Sequence, residues 1–460
     1  KVQFEISKTL TGRAMDNAQF SFELRDESGN LVKLYDEEGK ETFDGRVYSP
    51  SSDAGEAVKI AFPEIQYTQA DLNVEASHAI DTDGTFAKYY TIREVIPGSI
   101  AEGYTYDASV YNVQVTLKDN GKGEIVTDWK AYKAGEVTAE KNFLQQIWEN
   151  LVAFFTGKNA DKNVVFNNKY VAEGELKLKA IKETNGVLNK GDFSFILNGK
   201  DENGKDISET VTNDANGNVT FSAIKYTKPS SEPYEYTIKE VIPEDKDKKA
   251  GFTYDETVYT VKVTVTDDGS GVLSVNADIT APSKDTISAV STVVTNTDGS
   301  SKGLCEPDAV KFVNPYTTRG TSVVIDGNKV VAGRKAQADK DEFTFKLSGG
   351  NLTEDRFAST EAGGRFTFGP IEYSYEDLNG KNEETYTYTV SEVIPSEKDE
   401  NIKYSEEVYT VEVKLEDNHD GTLSATKTIV GANSIEFTNT YSAANSLPLQ
   451  VKKEVTGKKL

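Results

Sequence analysis

The chain has 460 residues, enough for three or four domains of ordinary size, and its 37% hydrophobic and 10% aromatic content supports packed cores rather than disorder. A formal charge of −24 and a pI near 4.7 argue against nucleic acid and anionic membrane as partners. No apolar stretch is long enough to span a bilayer, Lys1 does not open a signal peptide, and the single cysteine, Cys305, excludes a disulfide framework within the chain.

From the N terminus, the first predicted element is a strand, Val2-Phe4-Ile6-Lys8, in which a lysine takes the last inward place. Residues two apart on a strand share a face, so this ammonium points where its apolar neighbours point. Gly12 follows four residues on, then a Phe20/Phe22 strand and a Phe62-Ile65-Tyr67 strand. Tyr90-Ile92-Glu94 puts a carboxylate on another apolar face, and Pro97 ends that strand because proline cannot continue a central ladder. A strand with alternating apolar residues, Val110 to Val115, comes next. Residues 139–157 break the pattern: Phe143, Leu144, Ile147, Trp148, Leu151, Val152 and Phe155 recur at helical spacing. They predict a short amphipathic helix capping its own domain, with an exposed apolar contact surface as the alternative. The unit closes on Phe166-Asn168-Tyr170, where parity with the aromatic residues selects Asn168 over Asn167.

The same elements then recur twice in the same order. Leu176-Leu178-Ala180-Lys182 with Gly186, Phe193/Phe195, Phe221-Ile224-Tyr226, Tyr236-Ile238-Glu240 and Phe312-Asn314-Tyr316 make a second unit. Val323-Ile325-Gly327-Lys329 with Gly333, Phe343/Phe345, Phe368-Ile371-Tyr373, Tyr388-Val390-Glu392 and Phe437-Asn439-Tyr441 make a third. Short strands separated by Asp/Asn/Gly turns predict an all-β fold, a β-sandwich or partly open barrel in each unit, and the expected architecture is tandem β-sandwich domains in a linear array. The boundaries fall at 1–171, 172–317 and 318–442. Residues 443–460 hold a linker and, with Leu449, Val451, Lys453 and Gly457, the first strand of a further unit, so a piece of a longer protein is expected. The Ser/Thr-rich stretch at 283–307, part of which is the less apolar counterpart of the helical segment, reads as a loop insertion.

Burying an unpaired ammonium or carboxylate is expensive. Nine polar residues on inward faces in a repeated order therefore need a chemical reason. A lysine on the first strand, a glutamate in Tyr-x-Ile/Val-x-Glu-Val and an asparagine in Phe-x-Asn-x-Tyr resemble the streptococcal-pilin isopeptide-linkage domain of Gram-positive surface proteins. The resemblance covers all three units. It implies that the lysine amine attacks the asparagine amide, that ammonia leaves, and that a covalent bond then joins the first and last strands. It also implies that a protonated glutamate polarises the amide carbonyl and shuttles protons. Carried over residue by residue, the cross-links are Lys8-Asn168, Lys182-Asn314 and Lys329-Asn439, with Glu94, Glu240 and Glu392 as the catalytic acids. The alternative is a buried Lys–Glu pair hydrogen-bonded to Asn without bond formation. Gly327, in place of a bulky residue beside Lys329, marks the third unit as the one most at risk of staying unlinked.

Other candidates carry less. Asp81-x-Asp83-Gly84 and Asp214-x-Asn216-Gly217 look like fragments of calcium loops but lack the full ligand set, and they read as turns. His78 and His419 belong to no ligand cluster, and Cys305 has no catalytic histidine partner; an exposed or loop position is expected for each. No cofactor, no metal and no enzyme activity beyond single-turnover bond formation is expected. The resemblance implies a mechanical stalk of an extracellular, cell-wall-anchored surface or pilus-like protein. Its partners would be other repeats of the same longer protein and a host or microbial surface ligand. The alternative function is a ligand-binding adhesin region with its surface in the first unit. Leu447-Pro448-Leu449-Gln450 is not an adequate sorting signal, and no acceptor-lysine motif for pilus polymerisation is evident.

Overall fold

The computed structural model describes residues 1–73, 77–79, 82–136, 162–335, 337 and 341–457. The predicted helix at 139–157 lies outside these residues. Within them the chain is almost entirely β, with three short 3-10 turns, and each of the three units is a sandwich of two main layers, the first-strand layer of repeat 2 being divided into two smaller sheets.

One sheet of each unit is built around the first and last strands. In repeat 1, Glu5–Thr11 lies between Ala57–Ala61 and Val164–Tyr170, with Tyr104–Thr105 at the edge. In repeat 3, Asp326–Ala332 lies between Arg365–Thr367 and Glu436–Tyr441. Repeat 2 splits its first strand into Gly174–Leu176 and Lys179–Glu183, which pair with Ser301–Cys305 and Val310–Val313. First and last strands are parallel neighbours in every unit, and the register is the same: Lys8 opposite Phe166, Lys182 opposite Phe312, Lys329 opposite Phe437.

The facing sheet carries the Phe-x-Phe strand beside the glutamate strand. Phe22 stands opposite Glu94, Phe195 opposite Glu240 and Phe345 opposite Glu392. The alternating inward residues of the two sheets make each core, as the period-two pattern requires.

Three expectations change here. Residues 283–307 are not a loop: they form Ile287–Val290, Thr292–Thr295 and Ser301–Cys305, the last of which completes the sheet of the first strand. Threonine and valine are β-branched and suit a half-buried strand, so a stretch read by polarity alone was misjudged. Cys305 is accordingly fully buried rather than exposed, and burial pushes its thiol up to about 11. Gly327 leaves no gap, because a Cβ there would lie 2.4 Å from the Phe366 ring, which stacks on Phe345 at 3.7 Å.

Successive repeats meet through the same contact. The tyrosine that ends Phe-x-Asn-x-Tyr donates its hydroxyl to an aspartate at the end of a strand of the next repeat: Tyr170 to Asp267 at 2.7 Å and Tyr316 to Asp417 at 2.9 Å. Glycines allow the close approach. A Cβ on Gly271 would sit 2.6 Å from the backbone of Glu102, and one on Gly421 would sit 2.9 Å from the Gly251 nitrogen. Residues 443–457 carry no strand, and Leu449 and Val451 are 85% and 92% exposed. A strand needs a ladder partner, and none is in place for this segment among the described residues.

Candidate functional site

All nine residues singled out by pattern converge in three equivalent sites between the sheets. Lysine and asparagine come from the adjacent parallel strands of one sheet, and glutamate from the facing sheet. Lys8 Nζ lies 2.7 Å from Glu94 Oε2, Lys182 Nζ 2.7 Å from Glu240 Oε2, and Lys329 Nζ 2.6 Å from Glu392 Oε2. The other carboxyl oxygen of each glutamate accepts from the asparagine amide nitrogen, at 2.5 Å from Asn168, 2.7 Å from Asn314 and 2.7 Å from Asn439. Each glutamate thus bridges the amine and the amide. All nine side chains are buried.

The surroundings are aromatic. The first phenylalanine of Phe-x-Phe lies under the amine in each site, with Nζ 4.5 Å from the Phe20 ring centre, 4.6 Å from Phe193 and 4.9 Å from Phe343. Burial there pushes the Lys8 amine down to about 8, against the attraction of Glu94, and pushes the Glu94 carboxyl up, against the attraction of Lys8. The same directions and the same leading cause hold for Lys182 and Glu240, and burial also lowers Lys329. Desolvation disfavours both charged forms, which moves the pair towards neutral amine and neutral acid.

One component was not singled out from the sequence. The asparagine carbonyl oxygen accepts a backbone N–H in every site, from Asp107 at 2.7 Å, Asp255 at 2.8 Å and Ser405 at 2.7 Å. A backbone N–H can only donate, so it fixes the amide with oxygen towards the loop and nitrogen towards the glutamate. The carboxyl that the resemblance assigns to the carbonyl therefore lies against the amide nitrogen. The signal was present as Tyr106-Asp107-x-Ser109, Tyr254-Asp255-x-Thr257 and Tyr404-Ser405-x-Glu407 ahead of Val-Tyr.

The remaining candidates stand apart. Asp214 Oδ1 accepts the backbone N–H of Asn216 and Asn218, both at 2.8 Å, as a turn aspartate does. Asp81 lies outside the described residues. His78 falls in a short strand. His419 sits in the repeat 2–3 joint with Nδ1 3.3 Å from Asp417. No group of metal-ligating side chains occurs among the described residues, and none of their helices is long and apolar enough to cross a membrane.

The Spy0128-like isopeptide-containing domain family matches the chain three times, over residues 4–171, 177–317 and 325–442. The chain belongs to this family. Among solved structures it is similar to the major pilin of Streptococcus pyogenes, at 14% identity over 68% of this chain and 98% of that one, with a TM-score of 0.26. The T-13 major pilin of the same organism gives 15% identity over 69% and 97%, with a TM-score of 0.26. A C-terminal fragment of the pilus adhesin SpaC from Lactobacillus rhamnosus GG gives 13% identity over 59% and 100%, with a TM-score of 0.19. A search of curated proteins gives no match. Membership of this family supports a structural protein of a pilus or cell surface.

Proposed function

We propose that the chain is a load-bearing stalk of a Gram-positive surface protein or pilus-like adhesin, each repeat locked by a self-formed Lys-Asn isopeptide bond. The observation that carries this reading is the repeated placement of Lys, Glu and Asn, in one register, across the two strands through which each domain is entered and left.

In water an amide is a poor electrophile and an ammonium is no nucleophile. In the aromatic sites burial lowers the three amines and raises the Glu94 and Glu240 carboxyls, towards the neutral forms the reaction needs, and fixed strands replace a bimolecular encounter. Nζ attacks the asparagine Cγ and the new C–N bond forms. Glu94, Glu240 or Glu392 takes the amine proton and returns a proton to the amide nitrogen, which leaves as ammonia. The acid is regenerated within its single turnover, and the neutral product removes the cost of a buried ion pair.

The mechanical consequence follows from topology. Tension entering at Lys182 would cross directly to Asn314 and leave the rest of repeat 2 unloaded. Only residues 169–181 and 315–328 would lie on the path between bonds. Single-molecule pulling tests this. The intact chain should show no unfolding step from within a linked repeat. The Glu240→Ala variant should release residues 183–313, about 450 Å at about 3.5 Å per residue. A step of that size from the unaltered chain would refute the load path.

A further inference from the structure

The three sites share a feature that the proposed reaction needs and that lysine, glutamate and asparagine do not supply. Attack on Cγ converts the carbonyl into a tetrahedral centre whose oxygen takes up negative charge. In a dry site that charge needs a fixed donor aimed at it. The carboxyl group faces the nitrogen side. On the oxygen side stands one backbone N–H, from Asp107, Asp255 or Ser405, at 2.7 to 2.8 Å.

Resting on the isopeptide reading, we propose that this N–H is the oxyanion donor of the bond-forming reaction, and that the Asp107 and Asp255 side chains are positioning groups that hold it in place. Each aspartate clamps its loop to the last strand. Asp107 Oδ2 accepts the Asn167 N–H at 2.8 Å, next to the reacting Asn168, while Oδ1 accepts the Ser109 N–H at 2.9 Å. Asp255 repeats this with Val313, next to Asn314, at 2.8 Å and with Thr257 at 2.9 Å. One carboxylate thus ties the donor's own residue to the strand that carries the electrophile. Two oxygens are needed, because the two N–H groups lie on different segments. Both aspartates sit below the usual carboxylate range, their hydrogen bonds outweighing burial.

Repeat 3 has the donor without the clamp. Ser405 Oγ accepts the Glu407 N–H at 3.3 Å, and among the described residues it makes no bond to the last strand. Its N–H reaches Asn439 and the backbone of Ile402 and Lys403 pairs with the last strand, but the side-chain tie from residue 405 itself to that strand is missing among the described residues. Repeat 3 should therefore react more slowly than repeats 1 and 2.

The test follows all three bonds at once in full-length chains made by cell-free synthesis, quenched at intervals, digested and analysed for the three cross-linked peptides. Asp255→Ala keeps the N–H and removes the clamp; bond 2 should slow about tenfold, a fraction of what loss of a whole oxyanion donor costs. Bonds 1 and 3 should be unchanged, and repeat 2 should be protease-resistant before it is linked, which loss of folding would not give. Asp255→Ser should bring bond 2 to the rate of bond 3. Ser405→Pro removes the N–H itself and should abolish bond 3 alone. Asp255→Ala and Asp255→Ser proteins that link repeat 2 at the unaltered rate would overturn the clamp, whether or not the proline variant folds. Undiminished bond 3 in Ser405→Pro would overturn the donor. Absence of all three bonds from the unaltered chain would instead sink the underlying reading, and this proposal with it.

Discussion

The Tyr316 hydroxyl, two residues beyond the cross-linking Asn314, donates to the Asp417 carboxylate of the following repeat at 2.9 Å. The last strand thus carries the bond that locks its own domain and the contact that seats the next. Tyr170 and Asp267 repeat the relationship one joint earlier, with the Arg13 guanidinium 5.6 Å from the Tyr170 ring centre and 3.6 Å from Asp267.

Removing the hydroxyl isolates this contact. Tyr316→Phe keeps the ring packed on Phe252 and Tyr375 but deprives a buried carboxylate of a donor, a loss of about 1–3 kcal/mol at the joint. The three bonds should form normally. Distances between spin labels on repeats 2 and 3 should spread, whereas those between repeats 1 and 2 should not. An unchanged distribution across the second joint would show that Tyr316 does not hold it.

The glutamate is tested in one repeat against the other two. Glu240→Ala should abolish the Lys182-Asn314 bond and leave the others. Lys182 would then be buried without its acid, costing about 3–5 kcal/mol, and the lost closure would remove about 5 kcal/mol more by loop-entropy reasoning. A Lys182-Asn314 cross-linked peptide from this variant would refute the assigned role.

The pH dependence of an unlinked repeat follows from the two shifts. In Asn168→Ala, which cannot link, Lys8 is held at about 8 against an ordinary 10.5. The unfolded chain therefore binds the extra proton between those values, and repeat 1 should gain stability as pH rises from about 8 to 10.5. Glu94 is raised, so its contribution is full below the ordinary carboxylate value and fades as pH rises through the folded one. Urea unfolding at stepped pH should show a decline followed by a recovery. A flat or steadily falling profile from pH 8 to 10.5 would mean that Lys8 is not desolvated.

The period-two pattern exposed the architecture and all three Lys/Glu/Asn sets because strand faces are fixed by parity. The Asp107, Asp255 and Ser405 amides were harder to read: the repeated Tyr-Asp/Ser motif ahead of Val-Tyr marks the loop, but what its backbone N–H donates to is set only by tertiary structure. The strand ending at Cys305 was hidden for a related reason. Its polar residues pair through the backbone with Gly174–Leu176, a partner remote in sequence. The packing at Gly327 was hidden as well, because the filling ring, Phe366, comes from a neighbouring strand.

Amine reactivity separates the buried lysines from the tail. Lys453 is exposed, whereas Lys8, Lys182 and Lys329 are buried. A brief amine-labelling pulse should modify Lys453 and spare the other three. Protection of Lys453 would place the tail against a domain.

Intact mass tests the central claim most directly, because each bond releases one ammonia. Three bonds should lower the mass of the full chain by about 51 Da relative to its sequence, and the Glu240→Ala chain should show a deficit smaller by about 17 Da relative to its own sequence. A mass equal to that of the unmodified sequence would contradict the account.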